Sequence, residues 1–325
     1  MNVKHRVAIA LAAVALILSG SAWAQTTYTE DFTGAATTNN WYFFNGACLT
    51  AGSSSSSASP GVVPSCMSIK SSYYSNAEDG DPALVGGHAG VSGNSQTLPD
   101  PVGHGALRFT NGYPYGHGEN GAIVSATAFN AGQGIQITFK TVTYRGDSGG
   151  AGRDGADGMS FYLMDGSVSP SSPLWNGIGS WGGSLGYTCS NSNPPYDGLI
   201  SAYLGLGIDE FGNFLNGQTL AAGYTGSNTA TGDNTAYGYG YKPNRIGLRG
   251  AGNVSWAYLT TTYPAYYTTS TLNTPALKLA AVRNTCLTGQ VWNYSASATN
   301  PTAVSNPSPA LQDYAPIANA YYELP

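Results

Sequence analysis

The fold and the candidate site both follow most directly from one run of eight residues, LGIDEFGN, from Leu206 to Asn213. The run begins as an apolar strand and ends with Asp209, Phe211 and Asn213 at every second position. Side chains alternate between the two faces of a strand, so Asp209 and Asn213 point the same way if the extended backbone continues. A carboxylate, an amide oxygen and intervening carbonyls are the hard oxygen donors that Ca²⁺ prefers. The run therefore predicts a strand that ends at a candidate calcium site.

Two Gly-rich segments precede this run. Gly155 to Tyr162, GADGMSFY, places Asp157 in a turn immediately before a buried strand and so fixes a carboxylate at the end of a sheet. Gly182 to Gly186, GGSLG, is a Gly pair in a tight turn, where Gly permits positive φ and lets a ligand approach the backbone N–H. Asp-Gly alone is a common turn pair. The three segments in this order indicate a ligand site far more specifically than any one of them.

The three segments resemble, in order and spacing, those of the legume (L-type) lectin family. Members of that family have an A-D-G turn ahead of a strand, then a G-G-x-L-G loop, then a D-x-aromatic-x-N segment. The resemblance covers residues 136–250, about a third of the chain. It implies an all-β fold, a concanavalin A-like jelly-roll β-sandwich with long loop insertions.

The resemblance also implies which residues would bind a sugar. Asp157 would accept hydrogen bonds from two sugar hydroxyls, and the Gly183 N–H would donate to a sugar oxygen. Asn213 would donate its amide to a further hydroxyl. Phe211 and Tyr187 are the candidates for the aromatic ring that stacks under the apolar face of the sugar.

A calcium ion that organises the sugar site is implied in the same way. Its ligands would be the Asp209 carboxylate, the Phe211 carbonyl and the Asn213 side-chain oxygen. The second Asp ligand of the family has no clear match, and Asp233, in an inserted loop, is a weak candidate for it.

This chain departs from the family pattern where the family holds a second, transition-metal ion. Gly207 stands at the position of the family's Glu, and Arg245, just before Ile246-Gly247-Leu248, stands at the position of its metal-binding His. Arginine does not bind metals because its guanidinium stays protonated, so no transition metal is expected. Few alternating strands follow Leu248, which means that the sandwich is either completed differently or incomplete at its C-terminus.

Short strands separated by turns are predicted over most of the chain. The clearest alternating strand is Gly134–Tyr144, GIQITFKTVTY, and the best helix candidate is Leu277–Val282, LKLAAV. The other predicted strands are Ala106–Thr110, Met159–Met164, Tyr203–Ile208 and Arg245–Leu248, of which the second and third are expected to be buried on both faces.

The first 24 residues are predicted to be a signal peptide. A basic start at Lys4 to Arg6 precedes the apolar run Val7 to Leu18, and Ala22-Trp23-Ala24 is a small-x-small cleavage site. The apolar run is too short to span a membrane, which takes about 20 residues. We therefore expect an exported chain, secreted or held at the cell surface. Residues 25–300 would form the lectin-like sandwich, and the Pro-rich residues 301–325 would be a linker, an edge-strand region or the stump of a longer protein.

The four cysteines indicate two disulfides in an oxidising compartment. Three pairings are possible, and Cys48–Cys66 with Cys189–Cys286 is favoured because the first pair closes a Ser-rich loop locally. Only 9% of the residues are charged and the formal net charge is −5, without a basic stripe. Nucleic acid is therefore not an expected partner.

These patterns together predict an exported carbohydrate-binding protein that serves adhesion to glycans. The lectin-like segments also resemble the N-terminal parts of some type IV pilus tip adhesins, so cell-surface or pilus components are possible partners. One alternative is a glycoside hydrolase on the same fold, and another is a non-binding structural protein of the surface or the pilus. Hydrolysis needs two carboxylates about 5–10 Å apart, whereas Asp209 and Glu210 are adjacent and point to opposite faces. No enzymatic activity is therefore expected.

Overall fold

The computed structural model describes seven stretches of the chain, and ten strands and two helices lie within them. The stretches are residues 27–55, 58–69, 98–111, 119–132, 134–143, 157–215 and 243–321. The strands are β1 (Trp41–Asn45), β2 (Cys48–Leu49), β3 (Leu107–Arg108), β4 (Gly121–Ser125), β5 (Gly158–Met164), β6 (Ala202–Asp209), β7 (Arg245–Arg249), β8 (Trp292–Asn293), β9 (Thr302–Ala303) and β10 (Pro316–Tyr321). The helices are α1 (Trp256–Thr262) and α2 (Pro275–Thr288).

The largest sheet has four antiparallel strands in the order β10-β7-β6-β5. Three pairs, β1-β4, β2-β3 and β8-β9, form separate two-stranded sheets. The described part of the chain is therefore rich in β-structure, as predicted. The predicted strands at Met159–Met164, Tyr203–Ile208, Ala106–Thr110 and Arg245–Leu248 correspond to β5, β6, β3 and β7.

One face of the four-stranded sheet is built on glycine. Gly205 and Gly207 of β6 lie on this face, and a Cβ on either would collide with the ring of Tyr187 or Phe214. The missing side chains let both rings lie directly on the strand backbone. The loops that carry the rings are thereby held close to the end of the sheet where β6 stops.

The opposite face of this sheet is apolar and half-buried. Phe161 of β5, Leu206 of β6 and Leu248 of β7 lie side by side across it. Burial on both faces was predicted for β5 and β6, and it is only partial, since Tyr203 is exposed.

The two helices pack against the glycine-built side through a tyrosine-rich core. Tyr263 and Tyr267 are buried there together with Leu259 of α1. Ser255 caps α1 by accepting the Tyr258 N–H, and Pro275 opens α2 at a position that needs no N–H donor. α2 contains the predicted helix Leu277–Val282 but is longer, and α1 was not predicted.

The predicted strand at Gly134–Tyr144 is wrong over the part that the structure describes. Residues 134–143 belong to no strand, and Ile135, Ile137 and Phe139 are exposed. An alternating pattern describes only side chains, whereas a strand also needs a backbone partner for its N–H and C=O groups. No described strand pairs with this segment, and the Phe139 ring instead stacks on Phe161, with 6.0 Å between centroids.

Both favoured disulfides are confirmed. Cys48 is bonded to Cys66, and Cys189 is bonded to Cys286 on α2. Two disulfides are consistent with an oxidising, extracellular compartment. None of the helices in the described stretches is long and apolar enough to cross a membrane.

The Pro-rich residues 301–325 contribute to the four-stranded sheet. β10 lies at its edge beside β7, and Tyr314, just before β10, is fully buried. The predicted signal peptide, residues 1–24, lies outside the described residues. The chain divides into two compact units, Met1–Glu30 and Asp31–Pro325, and every strand and helix named above belongs to the second.

Candidate functional site

The turn before β5 is tied to the turn after β6. Gly158 stands opposite Asp209 in the β5-β6 register, and the Asp157 carbonyl accepts the N–H groups of Glu210 (3.1 Å) and Phe211 (3.2 Å). Gly158 has φ of +136°, and a Cβ there would collide with the Ile208 carbonyl. Only glycine fits this position. The first and third predicted segments therefore meet at one end of the sheet.

Asp209 folds the chain that follows β6 into a tight turn. Its side chain is fully buried, and its two carboxylate oxygens accept the N–H groups of Gly212 (2.8 Å) and Phe214 (2.7 Å). Gly212, at φ of +103°, supplies the backbone reversal. The extended backbone considered for Asp209 to Asn213 is therefore wrong, because the carboxylate captures two N–H groups that an extended strand would hold apart.

The GGSLG segment lies against this turn. A Cβ on Gly183 would collide with the side-chain amide of Asn213, so the amide rests directly on the Gly183 backbone. Gly182 to Ser184 form one turn of 3₁₀ helix that ends at Leu185, which has φ of +52°. The Ser160 hydroxyl of β5 donates to the Leu185 carbonyl at 2.7 Å and ties this turn to the sheet. All three predicted segments are thereby brought together.

The side-chain oxygen of Asn213 is buried without a described hydrogen-bond donor. Asn213 is 5% exposed, and its Oδ1 accepts no hydrogen bond from any residue that the structure describes. A buried polar oxygen without a donor costs free energy, typically about 1–3 kcal/mol. An outside donor, a hydroxyl or a cation, would remove that cost.

Charged groups of both signs influence the buried Asp209 carboxyl. Burial raises the pKa of the Asp209 carboxyl to about 7, against the lowering effect of the Gly212 and Phe214 N–H groups. The nearby Asp157 carboxylate raises this pKa further, whereas the Arg245 guanidinium lowers it. Arg245 is fully buried and stands opposite Asp209 in the β6-β7 register.

The residues predicted to bind calcium fit such an ion only in part. Asp209, Phe211 and Asn213 share one turn, and no described residue donates a hydrogen bond to the Asn213 oxygen. Both Asp209 oxygens already accept N–H groups, however, and Arg245 brings a positive charge to the same carboxylate. No three His, Cys, Asp or Glu side chains cluster as a metal site within the described stretches. Asp233 lies outside them, so calcium stays a prediction.

The two predicted stacking aromatics differ in access. Tyr187 is fully buried against Gly205, and its hydroxyl donates to the Gly250 carbonyl at 2.8 Å, so it is wrong as a sugar-stacking residue. Phe211 is half-buried in the turn. Trp181, which was not predicted as a site residue, is also half-buried and directly precedes the glycine pair. Its signal in the sequence is an aromatic residue next to the Gly-Gly turn of the candidate site.

The arrangement offers a carboxylate, a backbone N–H, an amide and an aromatic ring within three connected turns. Such a set can hydrogen-bond the hydroxyls of a polyhydroxylated ligand and cover its apolar side. No family model, curated protein or solved structure matches this chain.

Proposed function

We propose that this chain is an exported carbohydrate-binding protein that serves adhesion to glycans. Its sugar site would consist of Asp157, Gly183, Asn213 and Phe211. The observation that carries the proposal is the contact of the Asn213 amide with the Gly183 backbone, beside a turn whose N–H groups bond to Asp157. The four-stranded sheet would be one layer of a concanavalin A-like jelly-roll sandwich.

Each proposed contact has a matching group on a sugar. A sugar hydroxyl is both donor and acceptor, so it can donate to the Asp157 carboxylate while it accepts the Asn213 amide N–H. Gly183 carries no side chain of its own, so its backbone N–H and the Asn213 amide lie directly side by side. Hydrogen bonds that involve a charged group contribute about 1.5–3 kcal/mol each. The Asp157 contact is therefore expected to contribute most of the affinity.

Two features of the chain support an extracellular role. The two disulfides and the low content of charged residues suit an exported protein, and attachment to a pilus or to the cell surface is proposed on the resemblance alone.

Hydrolysis of the glycan is the less favoured alternative. A glycosidase needs a carboxylic acid that can pass a proton to the scissile oxygen. Asp209 has a raised pKa, which such an acid requires, but it is fully buried and both its oxygens hold backbone N–H groups. Asp209 is therefore not placed to reach a ligand, and we expect binding without cleavage.

A glycan array probed with residues 25–325 tests the proposal, with Ca²⁺ and again with EDTA. The matched variants are Asp157→Asn and Asp165→Asn, which alter the carboxylates just before and just after β5. We expect Asp157→Asn to weaken binding at least about tenfold, from the loss of a charged acceptor. Asp165→Asn should bind like the wild type. A folded wild-type protein that binds no glycan would favour the structural alternative.

A further inference from the structure

β7 carries two fully buried arginines on the glycine-built face of the sheet. Arg245 and Arg249 are separated by Gly247 and so point to the same side. Arg249 has a structural role, since its Nε donates to the Phe214 carbonyl (2.7 Å) and its Nη1 to the Tyr314 carbonyl (2.9 Å). Arg245 lies four residues away, at the end of the strand where the candidate site is.

Arg245 and Asp209 are buried residues of opposite charge on neighbouring strands. They are directly opposite in the antiparallel register, and both are fully buried. Residues in that relation have Cβ atoms about 4.5–5.5 Å apart. A buried charge is tolerated only beside an opposite charge or a set of hydrogen bonds. Asp209 has both, because its oxygens also hold the N–H groups of Gly212 and Phe214.

A short chain of contacts therefore connects Arg245 to the ligand-binding groups. The Arg245 guanidinium favours the charged form of Asp209, and Asp209 fixes the turn by accepting the Gly212 and Phe214 N–H groups. The Asn213 amide rests on Gly183. Arg245 thus acts through Asp209 as a positioning residue.

We propose that the Arg245 guanidinium, rather than a calcium ion, supplies the positive charge that holds this turn in its binding shape. The proximity of Arg245 and Asp209 follows from strand register and burial, whereas its consequence for glycan binding rests on the proposed function. That consequence is a site for neutral sugars that works without a divalent cation.

Titration of the wild-type protein with CaCl₂ tests the first half of the inference and needs no sugar. We expect no saturable heat of binding up to millimolar Ca²⁺, and the same thermal midpoint in Ca²⁺ as in EDTA. Saturable binding at micromolar Ca²⁺, together with a midpoint several degrees higher, would overturn the inference.

A double-mutant cycle tests the pairing itself. Arg245→Gln leaves Asp209 charged and buried without its opposite charge, whereas adding Asp209→Asn removes that charge while an amide oxygen still accepts an N–H. We expect the double variant to unfold at a higher temperature than Arg245→Gln alone, and the double variant remains informative if Arg245→Gln does not fold. A double variant that is no more stable than the single one contradicts the pairing.

Glycan affinity in EDTA tests the positioning role. We expect folded Arg245→Gln to bind at least tenfold more weakly than wild type, and Arg245→Lys, which keeps the charge, to recover most of the loss. Arg249→Lys is the matched control, since it alters a buried arginine on the same face and should lose stability but keep affinity. Equal losses in Arg245→Gln and Arg249→Lys would overturn the role. If the wild type binds no glycan, the proposed function fails, and the calcium titration and the cycle still decide the pairing.

Discussion

Glycine is required at two positions of the candidate site because other atoms occupy the space that a Cβ would need. At Gly158 that atom is the Ile208 carbonyl oxygen, and at Gly183 it is the Asn213 amide. Gly158 also has a positive φ, which strains any L-residue, whereas the restriction at Gly183 is one of space alone. The two positions differ in consequence, since substitution at Gly158 distorts the strand and substitution at Gly183 displaces the Asn213 side chain.

Gly183→Ala should therefore impair binding more than folding. The new methyl group displaces the Asn213 amide, and overpacking of this kind costs about 1–3 kcal/mol. We expect a thermal midpoint lowered by a few degrees and a loss of glycan affinity of at least about tenfold. Gly250→Ala is the matched control, because a Cβ there has 3.5 Å to its nearest neighbour. Unchanged affinity in Gly183→Ala would contradict the proposed site.

The residues of the candidate site can be proposed from sequence motifs, whereas the shape of the turn cannot. Asp157, Gly183 and Asn213 stand in short motifs that can be recognised in one dimension. The choice between an extended backbone and a turn after Asp209 depends on which N–H groups its carboxylate reaches and on the burial of that carboxylate. Burial is a property of the whole fold. The burial of Tyr187 also depends on the whole fold, because the sequence motif does not show which face of the sheet the Tyr187 ring covers.

Helix α1 cannot be predicted from sequence patterns alone. Its seven residues, WAYLTTT, are rich in aromatic and β-branched types, which have a low helix propensity. Tertiary contacts compensate, because Ser255 caps the helix and Leu259 is buried in the core. The strands β5, β6 and β7, by contrast, follow their apolar patterns. The segment 134–143 shows the opposite failure, a strand-like pattern without a described partner strand.

The contribution of Asp197, which contacts the start of α1, to folding stability is expected to depend on pH. Its carboxylate accepts the Trp256 N–H at 2.8 Å, and burial raises its pKa from 3.8 to about 6, against the lowering effect of this hydrogen bond. A carboxyl whose pKa is raised on folding stabilises the protein below its unfolded value and loses that contribution as pH rises through the folded value. The difference corresponds to about 3 kcal/mol. The thermal midpoint should therefore fall between pH 4 and pH 7.

Asp197→Asn should reduce this pH dependence. Its amide oxygen still accepts the Trp256 N–H but carries no charge, so at pH 7.5 we expect the variant to be about 1–3 kcal/mol more stable than wild type. At pH 4 the two should be nearly equal. Asp165→Asn should show no such gain, because hydrogen bonds from Ser167 lower the pKa of that carboxyl. Thermal melts over this pH range decide the matter, and parallel curves for wild type and Asp197→Asn would contradict the assignment.

The four-stranded sheet joins parts of the chain that are far apart in sequence. β7 and β10 are neighbours in the sheet, although both helices lie between them in the chain. Tyr314, next to β10, packs edge-on against Tyr187 in the core, with ring centroids 5.4 Å apart. Residues 301–321 are therefore built into the fold, which a Pro-rich, weakly patterned sequence does not reveal.

Removal of residues 301–325 should prevent cooperative folding. The deletion takes away β10 and the buried Tyr314 ring, and loss of a large core aromatic alone costs about 3–5 kcal/mol. The freed edge of β7 would also favour aggregation. We expect residues 25–300 to elute from size exclusion in aggregates, and residues 25–325 as a defined species. A monomeric 25–300 fragment with a sharp thermal transition would show that β10 is dispensable.

The position of β10 also sets the order of events during biosynthesis. β7 cannot gain its second neighbour until the helices and the segment beyond them have left the ribosome, so the sheet completes late. The same delay leaves one edge of β7 unpaired until residues 316–321 can pair with it, and an unpaired strand edge favours pairing with other chains.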